Sequence, residues 1–279
     1  MNKSFKHIPK EQRKKIMLVC DDIRVHSGVA TVAKEIVIHT AHHFNWVNVA
    51  GAIQHPEKGK VLDISSATNV EAKIEDSSVK LYCVDGYAQS AELQQILNTE
   101  KPDAVMLITD PRYFKHIFNM EDTIRKQCPL VYLNIWDDYP APMYNKPYYE
   151  ACDLLMGISK QTVNINKLVL ADCDNSKRVF KYVPHGLNHK EFYPIGKDHN
   201  EYEPLQQFRT NLVGENIDYV MFFNSRNIRR KQIPDAMLAF RSFLDSLPKE
   251  KADKCRFVLH TELVTDHGTD LGAVAEYLF

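Results

Sequence analysis

No run in this 279-residue chain approaches the roughly 18 consecutive apolar residues that a membrane-spanning helix requires. The basic start, MNKSFKHIPKEQRKK, has no signal-type apolar segment behind it, since KIMLVC is short and is followed by Asp21 and Asp22. The expectation is therefore a cytoplasmic protein, in the host cytoplasm if the source is viral. Glycine is scarce, with 10 residues. No G-x-G-x-x-G follows the first apolar run and no G-x-x-x-x-G-K-[ST] occurs, so dinucleotide-binding and P-loop readings drop. The missing G-x-S-x-G weakens a serine hydrolase. Charge of one sign is lacking too, because 35 Lys and Arg against 36 Asp and Glu give a formal net charge of −1. That balance supplies no global argument for nucleic acid or an anionic membrane as partner.

None of the six cysteines (Cys20, Cys83, Cys128, Cys152, Cys173, Cys255) stands in a C-x-x-C pair. Most lie in or beside apolar runs, as reduced, buried thiols do in a cytosolic protein. His39, His42 and His43 share helical i, i+3, i+4 spacing, but no carboxylate is counted at ligand spacing. They read as helix-end histidines, and no metal is assigned.

The chain is long enough for one large or two ordinary domains. Residues 15–20 form an apolar run of strand length, DDIRVHSG makes a loop, and Val29, Val32, Ala33, Ile36, Val37 and Phe44 recur at helical spacing. This predicts a buried parallel strand, a loop and an amphipathic helix, with Gly28 at the junction. Strands are then expected at 46–52, 79–84, 104–109, 130–136, 153–158 and 179–183, and helices at 91–98, 113–126 and 160–171. Such alternation predicts right-handed crossovers and a doubly wound α/β domain over 1–195. Residues 1–14 read as a solvated lead-in, a basic arm able to touch an acidic partner. Periodicity is lost over 187–204, taken as a linker. A second α/β pattern covers 196–279, with helices at 205–212, 235–247 and 271–279 and strands at 219–223 and 256–260. Two strands do not make a doubly wound sheet, so this second domain reads as cut short.

Ligands of open parallel sheets bind at the carboxyl ends of strands, which directs attention to the loops there. The stretch FFNSRNIRRKQIPDAMLAF carries Arg226 and Lys231 on a loop between a strand and a helix. Two cations there can converge on a diphosphate, with the free N–H groups of the helix's first turn adding to the field. The plain alternative is a solvated basic loop. Other polar loops are Asp110-Pro111-Arg112, Asp137-Asp138-Tyr139-Pro140 and Pro184-His185-Gly186, each of which also makes ordinary capping or turn chemistry.

Taken in order, these pieces resemble the retaining glycosyltransferases of the GT-B fold, family 4, often called glycosyl transferases group 1. SGVATVAKEIV looks like that family's glycine loop and first helix, and DLLMGISKQT like its strand ending in a serine. VPHGLNHKEFYP resembles its passage into the linker, and FNSRNIRRKQIPDAMLAF its donor-phosphate site. The resemblance implies two Rossmann-like domains with a cleft between them. It implies a nucleotide-diphosphate sugar of the UDP type as co-substrate, with no other cofactor and no metal. Ser27, Gly28, His185, Gly186, Asn224, Arg226 and Lys231 would bind this donor, and Asp137, Arg226 and Lys231 would serve transfer with retention. Asp137 takes that place because W-D-D stands where many members carry a histidine and an aspartate. The family's E-x7-E element would lie beyond Phe279. The acceptor is a hydroxyl of a glycan, a lipid or a hydroxylated DNA base. Two other readings stay open: a nucleotide-sugar 2-epimerase using Asp110 or His185, and a non-catalytic protein binding nucleic acid through residues 226–231.

Overall fold

The protein is described here by a computed structural model covering residues 7–279. It divides into two compact units, one up to Leu187 and one from Asn188. Among the described residues of the first unit, eight strands form one sheet: β1 (Lys14–Asp21), β2 (Phe44–Ala52), β3 (Val61–Asp63), β4 (Val79–Asp85), β5 (Ala104–Ile108), β6 (Leu130–Asn134), β7 (Leu154–Gly157) and β8 (Val179–Tyr182). Their spatial order is β3-β4-β2-β1-β5-β6-β7-β8. β1 is central, with Ile16 opposite Trp46 on one side and Ala104 on the other.

Period two sorts the β1 side chains onto two cores. Met17 and Val19 join one cluster with Leu93, Leu97, Phe114, Ile165 and Val169, while Leu18 and Cys20 join the other with Ala33 and Val37. Both faces are thus covered by helices, which is why β1 is apolar throughout its middle rather than alternating. The helix Gly28–Thr40 turns Ala30, Ala33 and Val37 inward. Phe44 does not belong to it, because the helix stops at Thr40 and Phe44 begins β2.

Several expectations need correcting. The helix expected over 113–126 is broken into a 3-10 turn (Pro111–Phe114) and two short helices, Lys115–Phe118 and Glu121–Arg125. The edge strand β3 runs antiparallel to β4 and was not anticipated. Residues 1–6 of the basic lead-in lie outside the described residues, but Arg13 is not solvated. Its side chain is buried and donates to the Ile8 carbonyl (2.6 Å) and to Asp76 Oδ2 (2.6 Å). Glu35 stands one turn before His39 and pairs with it at 3.0 Å, a carboxylate that the spacing argument overlooked. The helix Tyr202–Val213 takes up the last residues of the expected linker.

The second unit pairs β9 (Tyr219–Asn224) with β10 (Cys255–His260) in parallel register, Tyr219 opposite Cys255. Phe223, Phe257 and Leu259 pack against Ile233 and Met237 of the helix Ile233–Asp245 and against Leu271 of the helix Leu271–Leu278. No helix among the described residues is long and apolar enough to cross a membrane. All six cysteines are free and five are buried.

One buried carboxylate gives the first unit an acid-sensitive lock. Glu100, its side chain 3% exposed, accepts from Lys15 Nζ (2.8 Å), Lys80 Nζ (3.1 Å) and the Tyr82 hydroxyl (2.7 Å). Burial alone would raise its pKa, but these donors outweigh burial and hold it at about 2 instead of 4.5. A carboxyl depressed by folding stabilises the native state above its unfolded pKa, and that contribution fades as pH falls through the folded pKa. Glu100→Gln should therefore melt below wild type at pH 7, by on the order of 3 kcal/mol, and the gap should close between about pH 5 and pH 2. A gap in melting stability that ignores pH would rule this out.

Candidate functional site

β1 leads to β2 on one side of the sheet and β5 resumes on the other, so the carboxyl ends of β1 and β5 flank the point where strand order reverses. Open α/β sheets bind ligands at such a point. Shallow depressions at Gln127–Pro129 lie at the opposite, amino ends of the strands and carry no comparable chemistry. After β1, Ser27 caps the helix Gly28–Thr40 by accepting from Ala30 N (3.0 Å), and its hydroxyl donates to Asp21 Oδ2 (2.5 Å). Tyr87 donates to the other oxygen, Asp21 Oδ1, at 2.8 Å. Burial, then the bond to Asp21, pushes the Tyr87 hydroxyl well above its ordinary range.

Gly28 is exposed, its φ is not positive, and a Cβ built there would meet nothing within 4 Å. Neither backbone strain nor packing asks for glycine at this position, so the fold itself would accept a side chain. What a side chain would obstruct is the approach of something from outside to the first amides of the helix.

Asp22 is buried in a satisfied network. Arg24 grips it in a fork, Nε to Oδ1 at 3.0 Å and Nη2 to Oδ2 at 2.6 Å. The His55 Nδ1 accepts from Glu57 N (3.0 Å), which leaves the proton on Nε2 to be donated to Asp22 Oδ2 (3.0 Å). Burial works to raise the Asp22 carboxyl, yet the hydrogen bonds from Arg24 and His55 prevail and hold it below its ordinary value. Every lone pair that matters is engaged, so this network positions the loop rather than performing chemistry. Asp110 is similarly occupied, accepting from Arg112 N (2.9 Å) and pairing with Arg112 Nη2 (2.6 Å).

In the second unit β9 runs directly into the basic loop. Arg226, Arg229, Arg230 and Lys231 are all exposed, and among the described residues none of the four has an ion-pair partner. The loop is held from beneath by Asn227, which is 2% exposed. Its Nδ2 donates to the carbonyls of Glu262 (3.1 Å), Leu263 (3.3 Å) and Thr269 (2.7 Å), while its Oδ1 accepts from Thr269 N (3.1 Å). Asn227 thus ties the loop after β9 to the loop after β10. Gly268 allows the approach, because a Cβ there would sit 2.3 Å from Asn227 Oδ1. The helix that follows offers less than its sequence suggests, since Pro234 lacks an N–H and Asp235 places a carboxylate in the first turn.

The structure puts Asn224 at the end of β9 and Arg226 and Lys231 in the segment that follows it, with Asn224 Oδ1 2.9 Å from His260 Nδ1. Ser27 and Gly28 adjoin on the β1 loop. Asp137 is exposed after β6, and only its backbone carbonyl is engaged, by Gln161 Nε2 (2.9 Å). His185 and Gly186 are exposed after β8, close to the end of the first unit. Sequence reasoning missed Asn227, Tyr87 and His55, and also Asn48. Asn48 is fully buried in β2, accepts from Ile23 N (3.3 Å) and donates to the Leu18 carbonyl (3.2 Å). An asparagine inside the apolar run WVNVA was the available signal, because a buried amide must find partners. Among the described residues no group of three or more His, Cys, Asp or Glu side chains could hold a metal ion.

No family model matches the sequence, and no curated protein matches it. Solved structures do. A trehalose-phosphate synthase (UDP-forming) from Burkholderia xenovorans, in complex with glucose-6-phosphate, matches with a TM-score of 0.62 at 12% identity, over 95% of this chain and 69% of that one. The corresponding protein of Burkholderia vietnamiensis matches with a TM-score of 0.59 at 12% identity, over 95% and 67%. Anabaena HepE, in complex with UDP and glucose, matches with a TM-score of 0.56 at 13% identity, over 95% and 65%. The chain therefore has the GT-B fold and spans about two thirds of the length of these proteins.

Proposed function

We propose that this protein is a glycosyltransferase that takes a sugar from a nucleotide-diphosphate donor of the UDP type. The observation that carries this reading is the loop after β9, where four exposed cations have no ion-pair partner among the described residues and where Asn227, beside Arg226, ties the backbone to the loop after β10. Unpaired positive charges repel one another, and a diphosphate relieves that repulsion while gaining charge-assisted hydrogen bonds. The GT-B fold, together with a structural relative that carries UDP and glucose, supports the donor class.

Transfer with retention follows as part of the same reading. The bond between the sugar's anomeric carbon and the phosphate oxygen breaks, and a bond from an acceptor hydroxyl forms on the same face. The departing phosphate oxygen takes the acceptor's proton. Arg226 and Lys231 stabilise charge developing on the leaving group, which lets them act in the place of a metal ion. Asp137 is the carboxylate proposed beside the transferred sugar.

The test is calorimetric titration of UDP, GDP and their glucose, N-acetylglucosamine and mannose conjugates into wild type and Gly28→Val. One nucleotide series should bind saturably. The variant should melt with wild type, given the open space around Gly28, and bind that donor at least about tenfold more weakly, ~1.4 kcal/mol. Equal affinity in the two proteins would reduce the β1 loop to a turn. Salt-dependent binding of nucleic acid with no nucleotide affinity would favour the nucleic-acid reading instead.

A further inference from the structure

The loops that follow β5 and β6 in the first unit carry several exposed aromatic side chains. Tyr113, Tyr139 and Tyr144 are 63%, 48% and 66% exposed, and Trp136 is half-buried between them in sequence. These rings are held rather than loose. Trp136 meets Tyr144 edge-on at 5.9 Å and donates its Nε1 to the Asp138 carbonyl (3.0 Å), Tyr113 lies 6.2 Å from Tyr87, and the Tyr139 hydroxyl accepts from Asn164 Nδ2 (3.3 Å). Large exposed rings cost solvation, and fixed ones lose little further entropy when something covers them.

The charge around the rings selects what that is. Asp137 and Asp138 are exposed and have no ion-pair partner among the described residues, while the nearby guanidinium of Arg112 is already committed to Asp110 at 2.6 Å. Two free carboxylates beside aromatic faces repel a phosphate backbone and a phosphorylated sugar. They accept hydrogen bonds from hydroxyls, and the rings offer flat apolar faces to the C–H face of a pyranose. We infer that this aromatic shelf at Tyr113, Trp136, Tyr139 and Tyr144 binds a neutral carbohydrate, and that the acceptor of the proposed transfer is a neutral glycan. The acceptor role of this surface rests on the glycosyltransferase reading, whereas carbohydrate binding does not depend on it.

Fluorescence gives a direct readout, since of the two tryptophans Trp46 is 3% exposed and Trp136 is not buried. The probes are neutral di- and trisaccharides ending in glucose, galactose, mannose or N-acetylglucosamine, beside a single-stranded oligonucleotide and free UDP. At least one saccharide should change Trp136 emission saturably without any nucleotide and with little dependence on salt. Tyr144→Ala and Tyr113→Ala, both at exposed positions, should weaken that binding about five- to tenfold with an unchanged circular dichroism spectrum. Asp138→Lys should also weaken it, by removing an acceptor. Loss of UDP binding with saccharide binding intact would sink the donor assignment and leave the shelf. No response to any saccharide, or salt-dependent binding of the oligonucleotide on this surface, overturns the inference.

Discussion

Replacing Lys231 or Arg226 with alanine is expected to lower kcat/KM for the donor by roughly 30- to 1000-fold, the 2 to 4 kcal/mol of a preorganised charge lost at a leaving group. Both side chains are exposed, and neither has an ion-pair partner among the described residues to be orphaned, so the fold should not suffer. Release of nucleoside diphosphate from the donor is the rate to follow. Arg241→Ala is the matching control, because Arg241 lies on the following helix and is already paired with Asp245. The effect should be concentrated in kcat if the cations meet charge that appears only as the phosphate leaves, and in KM if they hold ground and transition state alike. A loss smaller than about threefold in both variants would remove these residues from the leaving-group site.

Asn227→Ala should be the most damaging single change in the second unit. It strips the donor from three carbonyls, those of Glu262, Leu263 and Thr269, and the acceptor from Thr269 N–H. Each buried group left unpaired costs about 1 to 3 kcal/mol, and partial access of water should bring the total to around 3 kcal/mol. Hydrogen exchange should rise across residues 261–270 and in the loop after β9, and donor affinity should fall because Arg226 and Lys231 lose their support. Gly268→Ala reaches the same end by another route, since its Cβ would strike Asn227 Oδ1. Native exchange in both variants, with wild-type melting, would show that the two loops hold themselves up without this contact.

Much of the fold is legible in the residues because its strands and helices are local periodicities. KIMLVC reads as a strand buried on both faces, and Val29 to Val37 as a helix, from neighbours within a few positions. Where the local pattern misled, a longer-range contact had decided. Phe44 keeps helical spacing with Val37, yet it belongs to β2, where strand pairing with Lys14 claims its backbone. Arg13 reads as part of a solvated basic arm until Asp76, far along the chain, accepts its guanidinium.

For the candidate site, the sequence alone identified the chemical types and their loops: Gly28 after the first strand, Asp137 after β6, Arg226 and Lys231 before an amphipathic helix. Those follow from side-chain chemistry and from the rule that parallel strands end in functional loops. Only the tertiary structure decided which of these groups are free. Asp22 carries the same carboxylate as Asp137, but besides the arginine two residues on it is held by His55 from the loop after β2, whereas Asp137 faces solvent. The roles of Asn227 and Gly268 were likewise invisible, because their partners lie on the loop after the neighbouring strand. A residue's type sets what it can do, but whether it is left available depends on hydrogen bonds between segments that only the folded chain brings within 3 Å.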